Sequence, residues 1–217
     1  MSSIAIVNYN MGNLHSVTKA LEHASPEGTK VFLSTSADEI LSADRVVFPG
    51  QGAARDCMRE LKNANLIDVV REAATSKPFL GICMGMQVLL EHSEEHDGVE
   101  CIGLYKGNTH AFAGRIAETD EHGERLKIPQ MGWNRIHHTQ DHPLWNGIKD
   151  DSRFYFVHSY FVDPDDKSII AGTTEYGLSY ASAIAKNNVF AIQAHPEKSA
   201  DDGLQLLKNF TEWDGNI

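Results

Sequence analysis

Cysteine is scarce in this chain: Cys57, Cys83 and Cys101 are the only three in 217 residues. An odd number with no Cys-x-x-Cys spacing supplies neither a disulfide framework nor a thiolate zinc site, and it fits a reducing compartment. Long apolar runs are missing too. None approaches the ~18 residues of a membrane helix, and Met1-Ser2-Ser3 lacks the basic region of a secretion signal, so a cytoplasmic protein away from membranes is expected. Basic residues are outnumbered, 19 Lys and Arg against 30 Asp and Glu, for a formal charge of −11. With no basic run or RNA-binding aromatic motif to offset that charge, nucleic acid is excluded as a partner. Repeats and low-complexity tracts are also absent. The rest is ordinary globular composition, 41% hydrophobic and 23% charged, enough for one core and a single domain over residues 1–217.

The first half alternates strand and helix signals. Ile4 to Val7, Val31 to Leu33, Arg45 to Phe48 and Pro78 to Ile82 read as short apolar strands. Between them, Gly12 to Glu22 has helical spacing with Asn13 as a cap, and one helical stretch carries Met58, Leu61, Leu66, Val69 and Val70. Apolar strands separated by helices predict a mostly parallel sheet covered on both faces, with functional residues at the strands' carboxyl ends. The second half is different. Val99 to Leu126 reads as short antiparallel additions, and His137 to Asp151 as a long polar loop holding one helical turn. Phe154 to Val157, Ile169 to Ala171, Tyr180 to Ile184 and Val189 to Ile192 read as strands, and Leu204 to Phe210 as a closing helix.

Two features stand out against this pattern. Gly81-Ile82-Cys83-Met84-Gly85-Met86-Gln87 follows a strand and leads into the helix-like Val88-Leu89-Leu90. This is the layout of a nucleophile elbow, in which glycines two residues before and after the nucleophile relieve crowding at a sharp strand-to-helix turn. A helix N-terminus there favours the thiolate of Cys83. A single buried cysteine is also ordinary packing, and the motif alone leaves both readings open. The second feature is Ala194-His195-Pro196-Glu197, just past a strand end. In extended chain, residues i and i+2 point the same way, so Glu197 can orient one nitrogen of His195 while the other faces a thiol. Alone, His-x-Glu is a common surface loop; with an elbow cysteine it supplies a base and its orienter. Acyl transfer also needs oxyanion donors, and the N–H of Met84 and the Pro49-Gly50-Gln51-Gly52 turn are placed to offer them. That turn also reads as a plain bend after a strand.

The elbow, the Pro49-Gly50-Gln51-Gly52 turn and His195-Pro196-Glu197 together resemble the class I, triad-type glutamine amidotransferases, over most of the chain. Within that family, three stretches resemble the glutaminase subunits of imidazole glycerol phosphate synthases of histidine biosynthesis: Asn8-Tyr9-Asn10-Met11-Gly12-Asn13-Leu14, Pro129-Gln130-Met131-Gly132-Trp133-Asn134 and Tyr155-Phe156-Val157-His158-Ser159-Tyr160. The resemblance implies a flavodoxin-like sheet with added antiparallel strands. It implies glutamine as substrate and a cyclase subunit of (β/α)8 barrel fold as heterodimeric partner, which uses the ammonia to make imidazole glycerol phosphate and an aminoimidazole carboxamide ribonucleotide. Related sequences more often have Asp-Tyr-Gly where Asn8-Tyr9-Asn10 stands, and His in place of Gln130; both segments approach the partner by resemblance.

Carried onto matching positions, the resemblance makes Cys83 the nucleophile, His195 the acid-base and Glu197 its orienter, with Met84 and the Gly50 to Gly52 turn at the oxyanion. It places Gln87 and the Ser159-Tyr160 backbone at the amino-acid end of the substrate, although Gln87 on a buried helix also reads as satisfying a neighbouring backbone group. Asn13, Trp133, Tyr155 and Lys198 match positions near the partner interface, and read equally as a helix cap, core aromatic, strand aromatic and solvated charge. No cofactor is expected, and no metal. His92 and His96 have i, i+4 spacing on what reads as a solvated helix end, without a third ligand. The alternatives are the glutaminase subunit of another synthase, a peptidase-like relative, and a non-catalytic scaffold on the same fold.

Overall fold

A strand buried on both faces sends alternate side chains into two cores, and strand β1 (Ser3–Val7) does so. Ile4 and Ile6 enter one core, Ala5 and Val7 the other. The computed structural model describes residues 2–119, 123 and 125–216. After β1 come α1 (Leu14–Ala24), β2 (Lys30–Ser34), α2 (Ala37–Ser42), β3 (Arg45–Gly50), α3 (Ala54–Asn63), α4 (Ile67–Ser76), β4 (Phe79–Cys83) and the single turn α5 (Met84–Gln87). The second half adds β5 (His92–Ser93), β6 (Val99–Glu100), β7 (Gly107–Ala111), β8 (Gln130–His138), β9 (Ser152–His158), β10 (Tyr160–Pro164), β11 (Ile170–Glu175), β12 (Ser179–Lys186), β13 (Val189–Ile192) and α6 (Ala200–Glu212).

The order β2-β1-β3-β4-β13 is parallel throughout. Beyond β13 the sheet continues through antiparallel β12, β10 and β7, while β11 leads off β12 to the β8–β9 ribbon. Helices α1 and α6 cover one face with Val17, Leu21, Leu206, Leu207 and Phe210; α2, α3 and α4 cover the other with Ile40, Leu61, Val70 and Ala73. Register sets up the site. Gly50 pairs with Cys83 and Ile82 with Ile192, so the carboxyl ends of β3, β4 and β13 arrive together at one edge.

Several expectations need correction. The stretch from Met58 to Val70 is two helices, because Asn65 takes a left-handed φ of 55° between them and asparagine tolerates that conformation better than most residues. Val88, Leu89 and Leu90 are not helix: α5 ends at Gln87, and these buried residues turn away to receive the backbone of Ile102 to Tyr105. His92 and His96 share no helix face, lying instead on β5 and in a 3-10 turn where His96 has φ 51°. The polar segment from His137 begins as the end of β8 and is then pinned by buried His142, Leu144 and Trp145, with Trp145 packed against Phe190. β8 and β10 went unread as strands. The expected strands between Val99 and Leu126 include β6 and β7; residues 120–122 and 124 lie outside the described residues.

Two buried histidines make stability pH-dependent. Burial pushes His142 and His158 down to about 4 from an ordinary 6.5. Between those values the unfolded chain binds protons that the folded chain refuses, so stability is lost as pH falls from about 6.5 to about 4 and levels off below. Each contributes up to about 3 kcal/mol across that window. The urea-denaturation midpoint should therefore drop steadily through it, and a flat midpoint would contradict the burial argument.

Candidate active site

The elbow is tight because three backbones meet there. A Cβ on Gly85 would lie 1.9 Å from the carbonyl oxygen of Phe48 on β3, and one on Gly81 would lie 2.9 Å from both the Ala191 Cβ and the Gly85 oxygen. Neither distance accommodates a side chain, so the two glycines let β4 turn into α5 while touching β3 and β13. Cys83 itself has φ 55° and ψ −110°, a strained setting for a residue with a Cβ. Strain of this kind at a turn marks a position held by its surroundings.

His195 and Glu197 reach the elbow from the end of β13. Pro196–Lys198 forms a 3-10 turn with His195 as its cap, so the two side chains meet across a turn, not along extended chain. Nδ1 of His195 lies 2.9 Å from Glu197 Oε1, with side chains 5% and 1% exposed. A carboxylate only accepts, so Nδ1 carries a hydrogen and Nε2 is the position left for chemistry. Burial opposes the imidazolium, but the Cys83 sulfur and then Glu197 outweigh it and lift His195 to about 10. Buried Ser199 braces the turn, donating to the His195 carbonyl at 2.6 Å and accepting the Tyr155 N–H at 2.9 Å.

Cys83, Met84, His195, Gln87, Gln51, Gly52, Ser159, Tyr160 and Lys198 line one cleft of about 620 Å³. Gly50 sits behind it in β3, where a Cβ would meet Met84 Cβ at 2.8 Å and the Tyr9 hydroxyl at 2.7 Å. Tyr9 was missed by the sequence reading. Pairing of β1 with β3 stops at Ile6 and Val47, so the Pro49 carbonyl faces a side that β1 has left, and the buried Tyr9 hydroxyl donates to it at 2.8 Å. Cys57 completes this arrangement: burial pushes its thiol up to about 12, and its hydrogen goes to the Tyr9 oxygen at 3.3 Å.

Gln87 supports both of its readings. It lines the cleft, and its Nε2 donates to the Tyr160 carbonyl at 3.0 Å and to Gln193 Oε1 at 2.9 Å, leaving its Oε1 unpaired. Gln193 was also missed. It is fully buried, and its Nε2 lies 3.5 Å from the Cys83 sulfur. Glu95 is the third omission. It is the one carboxylate among the described residues lining the cleft, and it also receives the Ala54 N–H at the start of α3. Strand alternation from His195 back to Gln193 was a usable signal; Tyr9 stands inside the Asn8 to Leu14 motif, though with no role attached to it, and for Glu95 the sequence offered none.

Trp133 is 45% exposed and meets Tyr155 edge-on at 6.1 Å, and Lys198 lies over the other aromatic, 5.8 Å from the Tyr155 ring centre. These three form a continuous surface beside the cleft. Asn13 caps α1 by position, without a side-chain hydrogen bond. Asn10 holds φ 63°, which explains why an asparagine can stand where related sequences have glycine, and Asn8 Oδ1 accepts the Asn10 N–H at 3.2 Å. Gln130 is buried in this chain. It is 2% exposed, and its amide meets His158 at 3.1 Å and Tyr180 at 2.8 Å beneath the cleft.

A neighbouring cleft of about 580 Å³, lined by Trp133, Met131 and Tyr176 among others, contains no nucleophile and base pair among the described residues. His137, Asp150 and Asp151 bring three metal-type ligands together among the described residues, all exposed. His92 instead pairs with Glu100 at 3.4 Å.

Known proteins resemble this chain in sequence and in fold. A family model described as glutamine amidotransferase class-I matches residues 5–213. The chain is 56% identical over 212 residues to the imidazole glycerol phosphate synthase subunit HisH of Hydrogenovibrio crunogenus, covering 98% of this chain and 97% of that one. It is 52% identical over 215 residues to the subunit of the same name from Pseudomonas putida, covering 99% of each. Among solved structures, PurLQS from Thermotoga maritima superposes with a TM-score of 0.70 at 18% identity, over 97% of this chain and 98% of that one. A crystal structure of a glutamine amidotransferase does so with 0.68 at 14% identity, over 96% and 97%. At such identities the structural likeness is one of fold, whereas the sequence matches span nearly the whole chain: it belongs to the class I glutamine amidotransferases.

Proposed function

We propose that this chain is the glutaminase subunit of an imidazole glycerol phosphate synthase in histidine biosynthesis, releasing ammonia from glutamine for a cyclase subunit. The observation that carries this reading is that Cys83 and His195 line one cleft, with buried Glu197 bonded to His195 behind it, in a chain 56% identical to a named subunit of that synthase. The cleft has ample room for an amino acid. Glu95 is an acceptor suited to its ammonium group.

The chemistry follows from the protonation states. With His195 lifted to about 10, its imidazolium stands beside the sulfur at neutral pH and holds the proton that ammonia will need. The Cys83 thiolate forms a bond to the side-chain amide carbon, and the carbonyl pair moves to oxygen, where the N–H groups of Met84 and the Gly50 to Gly52 turn receive it. The carbon–nitrogen bond then breaks, and the nitrogen leaves as ammonia with the His195 proton. Neutral His195, its Nδ1–H held by Glu197, removes a proton from water as it attacks the thioester. The carbon–sulfur bond breaks, its pair returns to sulfur, and glutamate leaves.

Ammonia released into open water is lost to protonation, so a covered site is needed. The surface of Trp133, Tyr155 and Lys198 lies beside the cleft mouth and is assigned to the cyclase, a (β/α)8 barrel docking as a heterodimer, with Asn13 at its edge. Glutamate release, measured for the chain alone, with the cyclase, and with the cyclase and its nucleotide, tests the assignment. The last condition should raise the rate by at least about tenfold, a barrier change of 1.4 kcal/mol. Equal rates in all three would assign a stand-alone glutaminase, and no release in any would assign a scaffold.

A further inference from the structure

We propose that Gln193 is a catalytic hydrogen-bond donor to the Cys83 sulfur, a role that rests on the glutaminase reading above and adds a fourth side chain to it. The orientation of its amide is fixed by a chain of partners that ends on a group with no choice. The Tyr160 carbonyl can only accept, so the Gln87 atom 3.0 Å from it is the amide nitrogen. The second hydrogen of that nitrogen goes to Gln193 at 2.9 Å, which must present oxygen there. Gln193 therefore turns its own Nε2 toward the sulfur, 3.5 Å away. Its backbone is held as well, the Gln193 N–H donating to Ser182 on β12 at 2.8 Å.

A fully buried amide that directs one of its two N–H bonds at the sulfur has a defined chemical use. Hydrogen bonds to a charged acceptor are about twice as strong as neutral ones, so the bond is strongest when the sulfur is a thiolate and weakest when it is a thioester. Negative charge sits on sulfur in the resting nucleophile and returns to it when water expels it from the thioester. The amide thus favours the thiolate before attack and eases its departure afterwards, without taking a proton. Other polar groups around Cys83 are His195 with Glu197 behind it, His158 beneath, Tyr9 and Cys57 from the β3 side, and Glu95, Tyr160 and Lys198 along the cleft. None of them hydrogen-bonds to the Gln193 side chain; Gln87 does, and loses that partner in the methionine variant.

Gln193→Met keeps the length and removes the donor. In the complex with the cyclase, kcat should fall roughly 10- to 100-fold, the range expected for loss of a hydrogen bond to a charged group, and the loss should lie in kcat, not in KM. The direct readout is the pH profile of iodoacetamide alkylation at Cys83, followed by peptide mass spectrometry. Its midpoint should move up by about one unit or more. A midpoint unchanged in a variant that melts like wild type would overturn the proposal, and so would a loss confined to KM, which would mean that Gln193 acts through Gln87 on substrate. If the methionine variant does not fold, Gln193→Glu serves instead: it should move the midpoint further by placing a carboxylate oxygen at the sulfur, and no movement overturns the proposal. Wild-type Cys83 that alkylates no faster than Cys57 and Cys101 would overturn the glutaminase reading itself, and this proposal with it.

Discussion

Cys83→Ala should abolish glutamine hydrolysis, lowering kcat by about 10⁴-fold or more, as loss of the nucleophile does in triad enzymes, while the fold survives. The reasons for the two halves of that outcome differ. Catalysis is lost because no other described residue lining the cleft is a thiol: Cys57 is fully buried behind Tyr9, and Cys101 lies outside the cleft lining, with burial pushing its thiol up to about 12. Folding is kept because alanine retains the Cβ already tolerated at φ 55° and gives up only one sulfur atom. Glutamate release and near-ultraviolet circular dichroism of the complex check both halves. A variant that hydrolyses glutamine at more than a few per cent of the wild-type rate would remove Cys83 from the mechanism.

Gly85→Ala should be the most damaging single methyl in the molecule, for a structural reason. Its Cβ would stand 1.9 Å from the Phe48 carbonyl oxygen, a backbone atom of β3 that cannot rotate away, so α5 must lift from β3 or β3 must shift. Either movement disturbs Gly50, which pairs with Cys83, and separates the two candidate sources of oxyanion hydrogen bonds. Overpacking against backbone costs about 3 kcal/mol or more, which for a chain of this size lowers the melting temperature by roughly 6–12 °C. Glutaminase activity should fall further than stability alone accounts for, because the oxyanion donors move. Normal melting with full activity would mean that the elbow is looser than its distances state. Gly52 offers the contrast: it has φ 85° and only the flexible Met11 side chain close to its Cβ direction, so conformation, not space, is what it supplies.

The parallel half was legible because its residues carry simple patterns. Ile4 to Val7 and Val189 to Ile192 are apolar on both faces, and their strands end close to where the sequence places them. The elbow was legible for a similar reason, since Gly81 and Gly85 mark a turn that no other residue fits. Less regular parts were hidden by tertiary context. Val88 to Leu90 has helical composition, yet it is diverted by backbone pairing with Ile102 to Tyr105, a contact that helical periodicity does not reveal. β8 is half-exposed, with Met131 and Trp133 facing out, so it lacks the apolar alternation that identifies a strand. In the site, the sequence singled out the reactive residues and the orienter Glu197, but gave Tyr9 no role and passed over Gln193. Tyr9 reaches Pro49 across 40 residues and Gln193 reaches Cys83 across 110; only the register of the sheet brings such pairs together.

The central claim is a covalent one, that glutamine is cleaved through a thioester on Cys83. Acid quenching of the complex during glutamine turnover, followed by peptide mass spectrometry, tests it most directly. A γ-glutamyl group on the peptide carrying Cys83, absent from the Cys83→Ala variant, is the predicted result. Steady glutamate release with the label on Cys57 or Cys101, or with no labelled peptide in the wild type, would contradict it.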